Sequence, residues 1–393
     1  MTTTAERYRT YRGPALFSMG FRPFFLFASA WAALAIPIWI AAYAGVLPAE
    51  QFTRSWHVHE MLFGYLGGVI AGFLLTAVPN WTGRLPVAGA PLAALFALWV
   101  AGRFAMLFQF ELGAVAALVD SLFLFSLAAI VAREVLAGKN KRNIPVSLLV
   151  TILGIANVLT HFALTNPNLA LLGERIGLGV VAMLVTLIGG RIVPSFTRNW
   201  MAKRQVKPEP SPANQFDSAT LIVTALALLA WIVAPLSALA GLALTLAGLL
   251  NMARLARWRG WKTSAEPLVL VLHAGYLWLA LGLALLGLGV VAPAAVPSAA
   301  GVHALTAGAF GVMTLAVMTR ASLGHTGQAL TASASVSAIY LLVNAAAAVR
   351  TTSPFWPDQY AMLLVLAAVL WSGAFAVFVA VYAPLLLRPR AAG

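Results

Sequence analysis

Apolar segments of about twenty residues recur from one end of this chain to the other, and they constrain its fold more than any other feature. A helix of that length rises about 30 Å, the thickness of a bilayer's hydrocarbon core. The pattern predicts helices over 23–45, 57–79, 89–108, 112–133, 144–165, 170–192, 217–234, 236–256, 264–289, 298–320, 333–349 and 359–385. Between Asp217 and Trp258 the apolar stretch is too long for one helix, and Ala234-Pro235-Leu236-Ser237 supplies a turn. With 61% hydrophobic and 9% charged residues, the chain has more apolar surface than a water-soluble core absorbs. The expected fold is all-α, a polytopic membrane bundle of about twelve transmembrane helices.

Charge sets the expected orientation. A net charge of +14 in a soluble protein would suggest a nucleic-acid partner. Here the cations sit between apolar runs, and none is expected. With the N-terminus inside, all 25 Lys and Arg residues except Arg54, Arg103, Arg175 and Arg350 fall in inward-facing segments, as the positive-inside rule requires. Both termini are then cytoplasmic. The expected organisation is a cytoplasmic segment 1–22, a six-helix half 23–194, a polar linker 195–216, a second half 217–385 and a cytoplasmic tail 386–393.

Ionisable groups inside spans are costly and usually face a cavity, a partner or a cofactor. All six histidines lie in or at the ends of predicted spans. His57, His59, His161 and His303 are expected at the depth of the outer leaflet, and His273 nearer mid-membrane. His325 lies just past the inner end of its helix and is the weaker candidate. Imidazole suits iron in haem and also copper, so these five plus His325 are candidate metal ligands. With no cysteine in the chain, any haem is non-covalent and b-type, and no thiolate cluster forms. In His57-Val58-His59 the two rings point about 200° apart on an α-helix, so they serve one metal only if the helix unwinds. Glu60, one turn after His57, is the candidate acid or imidazole-orienting group. Asp120, with only Ser121 as a polar neighbour, and Glu266, at a helix start, are weaker. Met313 and Met318 are expected to pack in the core, and Trp56, Trp81, Trp200, Trp258 and Trp261 to sit in interfacial belts.

Several blocks resemble the NnrS family. They are Phe21-Arg22-Pro23-Phe24-Phe25-Leu26, Trp56-His57-Val58-His59-Glu60-Met61, and the run from Gly72 through Asn80 and Trp81 to Gly83. Gly189-Gly190-Arg191 through Asn199, His273-Ala274-Gly275-Tyr276, and His303 through Arg320 to Gly327 complete the set. Gln328 departs from the Arg expected there. The resemblance implies a cytoplasmic-membrane protein of denitrifying and related bacteria that contains haem and copper and belongs to the response to nitric oxide.

Three function classes stay open. The leading one is a haem–copper protein that binds nitric oxide and reduces it, in the manner of a nitric oxide reductase, with Glu60 as the acid. Its electrons would come from quinol or a separate redox protein. The second is a non-catalytic haem–copper sensor or metal-handling protein. The third is a twelve-helix transporter. The helix number and the H-x-H device also suggest a distant analogy to the main subunit of haem–copper oxidases.

Overall fold

A computed structural model describes residues 11–389. Arg7, Arg9 and Arg390, which entered the charge reading, lie outside the described residues, as does the end of the tail. Every regular element described is helical, and twelve helices are long and apolar enough to cross a membrane. They are α1 (Phe21–Tyr43), α2 (Arg54–Thr82), α3 (Ala90–Leu107), α4 (Ala114–Ala137), α5 (Lys141–Thr160) and α6 (Pro167–Lys203). Then follow α7 (Gln215–Val233), α8 (Ala238–Ala256), α9 (Pro267–Val291), α10 (Ser298–Thr326), α11 (Ala334–Phe355) and α12 (Pro357–Leu387). The chain is an integral membrane protein. Leu118, Leu122 and Phe104 on α3 and α4, and Leu226, Leu229, Leu239 and Leu242 on α7 and α8, stay exposed. Helices apolar on every face belong in lipid.

Several spans overrun their predicted ends, α6 the furthest. α6 continues to Lys203 through Pro194. α10 continues to Thr326 and stops at Gly327, whose φ of +81° ends the helix. His325 therefore lies in the last helical turn, not beyond it. Three helices carry a π-helical stretch: α2 at Glu60–Tyr65, α6 at Val185–Gly189 and α10 at Ala304–Phe310. Such stretches release backbone carbonyls and often mark functional positions.

The described chain forms two compact units. The first holds residues up to Val180 together with Gly324–Gly327 and the segment from Phe378; the second holds Val181–Leu323 and Gln328–Val377. The division thus falls within α6. In the first unit α3 packs on α4, α4 on α5, and α1 on α2, around the buried rings of Phe21, Phe24, Phe25, Phe63 and Phe123. Arg22 closes this unit. Its Nη1 donates to the carbonyls of Leu386 and Arg388 at 2.9 and 2.6 Å, the bare C-terminal carbonyls of α12 that favour a cation. In the second unit α9 packs on α8 and on the π-helical stretch of α10, and α7 packs on α8.

Arg22→Ala strips the end of α12 of this donor. We expect a loss of about 1–3 kcal/mol, read as a lower unfolding temperature in detergent with helix content kept.

Candidate metal centre

Four consecutive helices of the first unit build one buried polar cluster. α2 brings His59 and Glu60, α3 brings Arg103, α4 brings Asp120, and the end of α5 brings Asn157 and His161. Glu60 is 0% exposed, Asp120 1%, His59 3% and Arg103 4%. In hydrocarbon such charges persist only as compensated groups.

Arg103 supplies the compensation. Its Nη1 donates to Glu60 Oε2 at 2.5 Å, and its Nη2 is paired with Asp120 Oδ1. Gly64 makes this possible: a Cβ there would overlap both the guanidinium and the Glu60 carboxylate. Gly64 lies in the π-helical stretch, and Trp99 Nε1 satisfies its carbonyl at 2.9 Å. Trp31 Nε1 donates to Glu60 Oε2 at 2.7 Å. The remaining oxygen, Oε1, accepts from His59 Nδ1 at 3.0 Å. Glu60 at Nδ1 and Asp120 at Nε2 thus place a carboxylate beside each nitrogen of the His59 ring.

Asp120 Oδ2 is crowded. Asn157 Nδ2 donates to it at 2.8 Å, His161 Nε2 lies 3.2 Å away, and His59 Nε2 lies 3.0 Å away. His59 Nε2 is nevertheless buried without hydrogen-bond geometry to any group. Asn157 is held by Ser121 Oγ, which donates to its Oδ1 at 3.1 Å. His59, Asp120 and His161 each present a ligand atom within 4.8 Å of the others, the one such trio among the described residues. With metal–donor bonds of about 2.1 Å, donors at right angles stand about 3 Å apart, close to the spacing around Oδ2. One ion fits. A porphyrin between the two imidazoles does not, because their rings are 5.0 Å apart and both reach the same carboxylate oxygen.

The other sequence candidates lie elsewhere. His57 turns away from His59 and stacks on Trp39, rings 4.3 Å apart. Glu60 contacts His59, not His57. His273 and His303 belong to the second unit. His273 sits in the second turn of α9, nearer the helix start than expected, with Gly260 against its ring. Thr197 Oγ1 donates to Val193 O and lies 2.8 Å from His273 Nε2, so the imidazole donates that proton. His303 Nδ1 donates to Ala299 O at 2.7 Å. His325 lies beside Phe21, ring centroids 5.5 Å apart.

Among the motif residues, Trp56 is buried against Trp31 and Phe52, and Trp258 against Tyr276. Neither forms part of an interfacial belt, whereas Trp261 is 62% exposed. Asn80 Nδ2 reaches Thr76 O at 3.4 Å, and Trp81 O accepts from Asn140. Arg320 lies over the Phe196 ring at 4.2 Å. Arg191 is partly buried in α6. Glu266 accepts from Leu268 N at the start of α9, as its position predicted.

Asp120 and Arg103 are the residues that sequence reasoning undervalued. Arg103 read as an outer-loop charge, and Asp120 as a carboxylate with one polar neighbour. A signal was available: an Arg near the end of one span and an Asp near the start of the next face each other across a helical hairpin.

Arg103→Ala leaves two buried carboxylates without their cation. We expect a loss of about 3–5 kcal/mol, with Arg103→Lys recovering only part because an ammonium cannot span both acids in the same fork. Gly64→Ala should fall in the same direction, and thermal unfolding of the three purified variants checks the order.

No curated protein matches the chain. The family model described as NnrS protein matches residues 15–390, nearly the whole chain and all twelve spans, so the protein belongs to the NnrS family.

Proposed function

We propose that this chain is a metal-dependent membrane protein of the nitric oxide response, which takes NO at an ion held by His59, Asp120 and His161. One observation carries the reading: His59, Asp120 and His161 each present a ligand atom within 4.8 Å of the others in one cluster. Glu60 holds the His59 ring through Nδ1. Family membership supports the link to nitric oxide, and the distribution of Lys and Arg supports an inner-membrane protein with both termini in the cytoplasm.

A redox metal would supply a coordination position for NO and a route for electrons. The chain's own residues do the rest. Glu60 and Asn157 hold the ligand groups in place, Arg103 pairs with both acids inside the membrane, and Trp31, Phe63 and Trp99 shield the cluster from water. Reduction of two NO to N₂O and water consumes two electrons and two protons. The electrons come from a quinol or a redox protein, and Glu60 is the acid in contact with His59. The haem that the family resemblance implies has no place between these two imidazoles, and no step is assigned to it. Copper remains a candidate occupant by donor type.

Membranes or purified protein carrying the wild-type chain should change their optical and EPR spectra on adding NO under reducing conditions, and should consume NO when given a reductant. Asp120→Asn and His161→Gln should abolish both responses. His57→Ala should retain them, because His57 faces Trp39. An unchanged NO response in both Asp120→Asn and His161→Gln would remove the site from consideration.

A further inference from the structure

We propose that the inner ends of α2 and α4 bind an anionic phospholipid, with its phosphate on Arg84 and Arg133 and part of an acyl chain in the apolar groove beside them. The inference is independent of the metal reading.

The groove lies between the end of α2, the loop that follows it, and α4. Leu74, Val78 and Pro79 line it from α2, Leu85 and Val87 from the loop, and Ile130 from α4. One acid stands among these side chains. Glu134 lines the groove, is 7% exposed, and has both oxygens taken by arginines. Arg133 donates to Oε1 from Nε at 2.9 Å and from Nη2 at 2.7 Å, and Arg84 Nε pairs with Oε2. The side chains of Arg84 and Arg133 nevertheless stay 44% and 67% exposed. Glu134 thus pins two cations beside the groove and neutralises one of them. Its contact with Arg84 uses only Nε, so both Nη groups of that guanidinium remain to meet a phosphate, whose geometry they match.

Further cations gather at the same place. Asn140, in the turn between α4 and α5, donates to Trp81 O at the end of α2. A Cβ on Gly138 would overlap Thr82, so this turn lies directly against α2. It carries Lys139, Lys141 and Arg142, all exposed. With Arg84 and Arg133 they set five cations against the one acid of this patch. The orientation proposed from Lys and Arg puts the patch at the inner boundary of the bilayer, where acidic headgroups lie. Orientation alone needs no buried carboxylate to hold arginines beside a groove. A soluble anion would use the cations and not the groove, and a neutral lipid the groove and not the cations. An anionic phospholipid uses both.

The test titrates the full-length protein, purified in detergent, with phosphatidylglycerol or with phosphatidylcholine of the same acyl chains. Native mass spectrometry counts the lipid bound. The wild type should bind phosphatidylglycerol about tenfold or more tighter than phosphatidylcholine. Arg84→Gln with Arg133→Gln, which keep hydrogen-bond donors for Glu134 and so protect the fold, should remove that preference. Ile130→Trp, at a part-exposed position, should fill the groove and weaken both lipids. Arg204→Ala, at an exposed cation of the second unit, should change neither. Equal affinity of the wild type for the two lipids would overturn the proposal without recourse to any variant. A preference that survives the double substitution, or that Arg204→Ala reduces as much, would overturn it too, because the preference would then belong to inner charge in general. Wild-type binding in Ile130→Trp would remove the acyl chain from the groove.

Discussion

A single guanidinium organises the first unit. Arg103 is buried between Glu60 and Asp120, and each acid in turn holds an imidazole. Two unpaired carboxylates in hydrocarbon would either take up protons or draw water in, and neither state keeps His59 and His161 in register. One cation shared by two acids leaves Arg103, Glu60 and Asp120 with a formal charge of −1 between them. The same fork ties α3 to α2 and α4, so the polar cluster and the helix packing depend on the same two bonds. Arginine is suited to this task because its planar head presents parallel donors with fixed geometry and does not deprotonate.

The second unit uses the same resource at a different place. Arg254, buried in α8, donates to Asp217 at 2.8 Å, to the carbonyl of Thr186 and to the hydroxyl of Tyr276. Tyr276 donates onward to Asn251 at 2.7 Å. Thr186 lies in the π-helical stretch of α6, so here an arginine satisfies a carbonyl that the altered helix leaves unpaired, as Trp99 does for Gly64 in α2. The two units therefore solve one problem alike: each places a buried donor against a released backbone acceptor. The Arg254 network, however, gathers no set of metal-ligating groups, and its geometry reads as structural.

Much of the fold was legible because the bilayer fixes helix length. Twelve apolar runs and the turn near Pro235 translate directly into the observed helices, with errors confined to ends such as Lys203, where the helix runs on through Pro194, and Thr326, where no breaker comes before Gly327. The candidate site was legible in part. His59 and His161 stood out as histidines expected at one depth. His57 could not be separated from His59, since spacing alone says only that the two rings diverge. Which of them turns inward depends on the side chains that meet α2, and those come from α1, α3, α4 and α5. Asp120 was undervalued for the same reason: its partners are distant in sequence, and a hydropathy profile registers it as a flaw in an otherwise apolar span.

The π-helical stretch of α2 begins at the residue after His59, and this sets the phase of the helix. A π-helical turn accommodates one residue more than an α-helical turn, so the segment Arg54–His59 is rotated by about 100° relative to an uninterrupted helix. The inward direction of His59 is thus written into the backbone downstream of it. Removing a single residue between Met61 and Tyr65 would leave every ligand in the chain and restore a regular helix, yet it would swing the imidazole to another face. For this protein the length of one helical turn is as much a part of the buried cluster as the side chains that line it.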